Sequence, residues 1–320
     1  MSTIQVLAPG LQTTVQDLGR EGFGPIGVSA SGAADPISLR LGNRLVGNDQ
    51  RAAALEMMLL GGTFIFPEGA TIALTGSDFG ATLDAARLEA GTSAEVRPGQ
   101  TLRMGPTNSG ARCYLCVHGG IAVEPFLGSA STHVLSGLGG FEGRPLRKGD
   151  VVRIGSATEA RPFHKRTIAL RASQHLFDSK ILRVTPGPQA DWFPESSLRS
   201  FYAGTYRVGE QSNRMGLRLE GAALAQRGTS SMITEGVSLG AIQVPAGGAP
   251  IILFVEQQTT GGYPKIANVI AADLHRVGQL RPRDEISFEQ VTFDQARSLL
   301  IEQEKLLASG ELILELSASI

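Results

Sequence analysis

Short apolar–polar alternations closed by glycine or proline, such as ATIALTG (70–76) and TYRVG (205–209), recur along most of this 320-residue chain. Strand side chains alternate between faces with period two, and a helix needs a longer run at 3.6-residue spacing. Runs this short therefore predict strands joined by tight turns. Forty glycines and an aromatic content of only 6% agree with that pattern. Helices are expected at three places. Asp35-Pro36 supplies an N-cap and a proline at the first helical position, after which Ile37, Leu41 and Leu45 share a face until Gly47-Asn48 ends it. Pro264 is read as opening a second helix, with Ile266, Val269, Ile270, Leu274 and Val277 inward and Gly278 as its stop. Thr292 and Gln295 have capping-box spacing for a third, running to about Ser309 and followed by a last strand in SGELILELS. The expected fold is mainly β with a few covering helices.

The chain also resembles itself. ARCYLCVHGGIAVEPFLG, from Ala111, matches PIILFVEQQTTGGYPKIA, from Pro250: a strand, a polar Gly-Gly turn, then a proline placed to open a helix. GRPLRKGDVVRIG (Gly143 to Gly155) answers GQLRPRDEISFE (Gly278 to Glu289) in the same order. Two related β-rich halves are expected, 1–165 and 166–320, meeting near residues 155–180 and free to interleave.

Composition and motifs exclude several functions. A formal net charge of -1 leaves no broad basic field for nucleic acid or an anionic membrane, so any anion site must be local. The N-terminal MSTIQVLAPG lacks the pattern of a signal peptide, and no apolar run approaches the ~20 residues that cross a bilayer, which predicts a cytoplasmic protein. Cys113 and Cys116 form a C-x-x-C, but on a strand two side chains three apart point to opposite faces, so core packing is expected rather than a redox or zinc pair. There is no P-loop and no G-x-S-x-G. GFGPIG (Gly22 to Gly27) fits the dinucleotide spacing but holds Pro25 and has no helix after it, which makes it a turn. His118, His133, His164, His175 and His275 lack metal-motif spacing, and no metal site is expected.

Three groups of residues remain as candidates. The first is EQQTTGGYPK. If a helix starts at Pro264, this loop stands at its N-terminus, where unpaired N–H groups attract anions. Gly261 and Gly262 would admit positive φ and close approach. Gln257 and Gln258 add amides, Thr259 and Thr260 hydroxyls, Tyr263 a phenol and Lys265 a cation, while Glu256 is the candidate to orient a donor, take a proton or help hold Mg²⁺. The loop either caps its own helix or binds a carboxylate or phosphate. The second group, Asp17, Arg20, Ser29, Ser31 and Asp35, lies in turn-rich segments, where Asp17 and Arg20 either pair with each other or serve a site. The third is Arg214 with Arg218, which are either same-face strand residues or a clamp for a substrate carboxylate.

Together the strings GLQTTVQDLGREGFG, GVSASGAADPISLRLGNRLVGN, ALTGSDF, YRVGEQSNRMGLRLEG, GAIQVP and EQQTTGGYPKIANVIAADL resemble the allophanate hydrolase subunit 2, or biotin-dependent carboxyltransferase, family along nearly the whole chain. The sequence departs from the family's pattern at Glu256, where an aspartate is usual, at Ala34 in GAAD and at Arg283 in PRD. The resemblance implies two β-barrel-like, cyclophilin-like subdomains. Many bacterial members are the C component of an ATP-dependent 5-oxoprolinase working with subunits B and A, which implies ATP with Mg²⁺ at the level of the complex. Phosphorylating the lactam oxygen would remove the amide resonance that protects it. Other members are carboxyltransferase domains acting on urea or a small amide with biotin, which here would have to arrive on another protein. A third possibility is a regulatory subunit that binds and restrains a partner.

Overall fold

The computed structural model describes residues 2–156, 163–169, 176, 180–228 and 232–316, so His175 and much of the expected meeting point of the halves lie outside the described residues. The chain divides into two compact units, one formed by Met1–Arg20, Ser31–Leu176 and Ser309–Ile320, the other by Glu21–Ala30 and Phe177–Ala308. Both are built chiefly of short strands, as the punctuation of the sequence requires.

In the first unit, a six-stranded sheet runs in the order Val151–Arg153, Thr3–Ala8, Thr63–Ile65, Thr101–Arg103, Thr82–Leu83, Ala86–Arg87. A seven-stranded sheet runs Gln12–Gln16, Ala54–Met58, Arg112–Val117, Ala70–Gly76, Thr92–Val96, Arg166–Ile168, Ile313–Glu315. Their apolar faces share one core, with Ile4, Val6, Phe64 and Leu102 from the first meeting Leu55, Met57, Ile72, Leu74 and Leu115 from the second. The strand Arg112–Val117 is buried at every position because both of its faces are covered. Cys113, Leu115 and Val117 enter the core between the sheets, whereas Tyr114 and Cys116 meet Leu39, Leu45 and Val46 at the helix Pro36–Leu45. The two thiols thus point apart, and burial pushes the Cys113 thiol up to about 12 and raises Cys116 too. The helix sits very close to this sheet. A Cβ on Gly42 would lie 2.5 Å from Cys116 Sγ and 2.6 Å from Thr75 Oγ1. Its start is the expected one, with the Asp35 carboxylate accepting from Ser38 N–H at 2.9 Å.

The second unit closes a seven-stranded barrel: Ile181–Pro186, Lys265–Val269, Ala241–Gln243, Ile251–Leu253, Gly216–Glu220, Tyr206–Val208, Glu285–Gln290, and back to the first. The closing ladder, between Ile181–Pro186 and Glu285–Gln290, is parallel. Closure leaves no unpaired edge. Phe201 on the helix Glu195–Ala203 stacks on Phe288 at 4.5 Å and covers the barrel wall. The helix Phe293–Ala308 begins at the expected capping box, where Thr292 Oγ1 and Gln295 Oε1 each accept the other residue's N–H.

One expected helix does not form. Residues Lys265–Val269 are a barrel strand paired on both sides, and helix appears only as a turn at Ala271–Asp273 and the short Leu274–Gly278. Ile266, Val269 and Ile270 recur at helical spacing, but Ile266, Ala267 and Val269 are all buried, and burial on both faces erases the alternation that marks a strand. Nor does the proline at 125 open a helix.

The duplication shows in one turn. Asp150 Oδ2 accepts Arg147 N–H at 2.7 Å, and Asp284 Oδ2 accepts Arg281 N–H at 2.8 Å. Each turn then bonds a neighbouring strand through the same backbone pair: Gly149 N–H to Val6 O with Val6 N–H to Asp150 O, and Arg283 N–H to Val208 O with Val208 N–H to Asp284 O. The residue before each aspartate is left-handed, Gly149 at φ 91° and Arg283 at φ 73°. Arginine bears a steric cost there that glycine does not, and its exposed pair with Glu210 is worth little. Arg283→Gly is accordingly expected to raise stability by about 0.5–1 kcal/mol in urea denaturation, and Gly149→Arg to lower it by a similar amount. A loss from Arg283→Gly would contradict this account.

Both aspartates are held below the usual carboxylate range. For Asp150 the chief cause is the Arg144 guanidinium. For Asp284, burial pushes upward but is outweighed by Arg281 N–H and Lys180. A carboxyl whose folded value is depressed adds stability above its unfolded value, near 3.9, and loses it as pH falls through the folded value. Melts should therefore drop below about pH 4, and Asp150→Asn should flatten that acid limb while lowering stability at neutral pH.

Candidate functional site

The N-terminal candidates converge on residues 126–132. Asp17 accepts from Ser129 Oγ at 2.6 Å, Ala130 N–H at 2.7 Å and Gly19 N–H at 2.8 Å, and Ser131 Oγ also donates to it. Arg20, only 2% exposed, donates to the carbonyls of Phe126 and Ser131 and lies over the Phe126 ring. Ser31, left-handed at φ 54°, gives its hydroxyl to Thr132 O at 2.9 Å. Asp35 caps the helix Pro36–Leu45, and its N–H donates to Tyr114 Oη, which in turn donates to buried Glu56. Asp17, Arg20 and Ser31 thus staple their own backbone to 126–132, and Asp35 belongs to a separate network. Glu56, Tyr114, Ser129 and Ser131 carry these networks. Ser129 and Ser131 lie in a glycine- and serine-rich stretch where no pattern singles them out.

The barrel unit holds the other candidates. Arg214 precedes the strand Gly216–Glu220, and Arg218 lies within it, exposed, so the two do not form a same-face pair. The Arg214 guanidinium donates to Glu256 Oε1, with both side chains buried. The ordering is local as well, since Glu256 N–H bonds Arg214 O at 2.8 Å. A carboxylate already charge-paired to a guanidinium is poorly placed to take a proton or hold Mg²⁺, and Arg214 is correspondingly not open as a clamp. Among the described residues no three His, Cys, Asp or Glu side chains cluster as metal ligands.

Beyond Glu256 the segment forms an arm rather than a helix cap. Thr260–Gly261 pairs with Glu235–Gly236 as a two-stranded ladder, Val237 N–H bonds Thr259 O at 3.0 Å, and Gln257 Nε2 donates to Val237 O at 3.2 Å. With a strand following Pro264, no helix dipole acts here. Neither Gly261 nor Gly262 has positive φ. Gly261 instead makes room, because a Cβ there would sit 2.4 Å from Gln243 Nε2. Gln258, Thr260 and Tyr263 are exposed, and Thr259 and Gly262 half-buried. This places an amide, a hydroxyl and a phenol along one surface segment.

Lys265 is the exception, 3% exposed at the first position of a barrel strand. Its ammonium donates to Glu235 Oε1, and Gln189 Nε2 donates to the same oxygen at 3.0 Å. Gln189 Oε1 accepts the Lys265 backbone N–H at 3.1 Å. The Lys265 hydrogen bond, then that of Gln189, holds the Glu235 carboxyl below its usual range. The sequence offers no sign of Gln189 or Glu235, each remote from Lys265 along the chain, and Gln243 enters only within the family string GAIQVP. The one available signal is that a lysine beside a buried run needs a counter-charge.

The family model "Carboxyltransferase domain, subdomain A and B" matches residues 26–290. The chain is 37% identical to the C component of the Escherichia coli 5-oxoprolinase over 94% of its own length and 96% of that protein. It is 35% identical to the protein of the same name from Haemophilus influenzae, over 92% and 94% respectively. It is also 36% identical to urea amidolyase of Saccharomyces cerevisiae over 96% of this chain but 18% of that enzyme. Among solved structures, the urea amidolyase of K. lactis superposes with a TM-score of 0.90 at 35% identity, covering 98% of this chain and 20% of the larger one. No helix of the described residues is long and apolar enough to cross a membrane.

Removing one partner of the buried Arg214–Glu256 pair takes this counter-charge from the other. Arg214→Met or Glu256→Leu alone should cost about 3–5 kcal/mol in urea denaturation, and the double substitution markedly less than their sum. Additive losses would show that the pair is not a unit.

Proposed function

Because this chain belongs to the carboxyltransferase-domain family of subdomains A and B, we propose that it is the C component of an ATP-dependent 5-oxoprolinase, hydrolysing 5-oxo-L-proline to L-glutamate together with subunits B and A. The observation that carries this reading is a match along nearly the full length of both proteins to two relatives that bear the name of that 5-oxoprolinase component. The urea enzymes, in contrast, are several times longer than the region they share with it.

The local chemistry agrees. A small anionic lactam calls for hydrogen-bond donors and a cation, and the segment 257–265 brings exposed Gln258, Thr260 and Tyr263 together with buried Lys265. In this proposal those residues bind and orient substrate, and Glu256 positions Arg214 rather than acting as a base. ATP with Mg²⁺ supplies the activating phosphoryl group at the level of the complex. The donor set around Glu256 does not suit a metal, so no step is assigned to one there. Fixing substrate geometry is itself a large source of rate.

A second reading has one observation in its favour, the TM-score of 0.90 to the urea amidolyase structure: a carboxyltransferase acting on urea or a small amide, with biotin delivered on another protein. The purified chain combined with its A and B partners should release glutamate from 5-oxo-L-proline only when ATP is present. Thr260→Ala and Gln258→Ala should each lower kcat/KM about tenfold, the loss of roughly one substrate hydrogen bond. No glutamate, or glutamate without ATP, would refute the oxoprolinase reading. Full turnover by both variants would point to the regulatory role instead.

A further inference from the structure

One inference deepens the proposed role of the segment 257–265 and rests on it. Two side-chain donors, Lys265 Nζ and Gln189 Nε2, converge on a single carboxylate oxygen, Glu235 Oε1. A third donor lies on the strand facing Lys265. Gln243 faces Lys265 across the barrel ladder, and its amide nitrogen lies against Gly261, the residue paired with Glu235. Gln243 is 1% exposed, and that buried nitrogen has no hydrogen-bond partner among the described residues. An unsatisfied buried donor is costly unless something else satisfies it. Three donors for one bonded oxygen exceed what Glu235 uses. They suit a carboxylate that presents both oxygens.

The group now in place is also the most exposed of the four. The Lys265 side chain is 4% exposed, whereas that of Glu235 is 45% exposed and sits on a two-residue strand. We propose that Glu235 is an internal stand-in, its carboxylate occupying a receptor formed by Lys265, Gln189 and Gln243, and that a small carboxylic acid binds by displacing it. Exchanging one carboxylate for another keeps the buried ammonium neutralised throughout, so the exchange avoids the cost of an isolated charge. A neutral amide offers no such exchange, and the receptor therefore selects against urea-like ligands.

The test is calorimetric titration of the full-length chain and of Glu235→Gln with 5-oxo-L-proline, with formate, and with 2-pyrrolidinone, which keeps the lactam ring but lacks the carboxylate. Glu235→Gln preserves size and removes the competing charge. It should bind 5-oxo-L-proline and formate at least about tenfold more tightly than the unaltered chain, with 2-pyrrolidinone unchanged. Adding Lys265→Met should abolish the gain. If Glu235→Gln melts cooperatively yet binds both carboxylates no better, the stand-in is overturned, whether or not the assembled complex turns over 5-oxoproline. If formate gains and 5-oxo-L-proline does not, the receptor stands and the substrate reading falls. Should Glu235→Gln fail to fold, Glu235→Asp, whose shorter side chain withdraws the carboxylate, carries the same expectation.

Discussion

A lysine ammonium enclosed in a β-barrel has to be neutralised, and in this molecule that requirement organises the whole neighbourhood of the Gly-Gly segment. Lys265 is buried because it begins a strand paired on both sides. Its charge draws in Glu235, which lies on the short ladder to Thr260–Gly261, and Gln189 ties carboxylate and backbone together. A few residues away, Arg214 and Glu256 solve the same problem for the base of the arm. The exposed amide, hydroxyl and phenol of Gln258, Thr260 and Tyr263 lie along the chain between these two charge pairs.

Much of the architecture is legible in the sequence because it is encoded locally. Asp35-Pro36 and the Thr292/Gln295 box each announce a helix by groups within a few residues of one another, and both helices form there. The segment after Pro264 misleads for the opposite reason. Its apolar spacing suits either structure, and the deciding factor is the presence of strands Ile181–Pro186 and Ala241–Gln243 on either side. Distant partners decide, and the local pattern is silent about them.

The candidate site shows the same division. The residues expected from type and turn context take part in polar networks. Asp17 and Arg20 join separate stretches of backbone, and Glu256 neutralises an arginine. Gln189, Glu235 and Gln243 come from three separate parts of the chain and meet only once the barrel closes. The relatives confirm the family across nearly the whole chain, so the same barrel frame underlies proteins named for different reactions.

The double-sided burial of the strand Arg112–Val117 has a consequence for watching this protein come apart. Cys113 lies between the two sheets and Cys116 beneath the helix Pro36–Leu45, and both thiols are kept protonated by burial. An alkylating reagent meets neither while the native packing holds. Modification at Cys116 would record the helix lifting away, and modification at Cys113 the sheets parting. The chain thus carries two natural probes, one residue type on one strand, each tuned to a different opening.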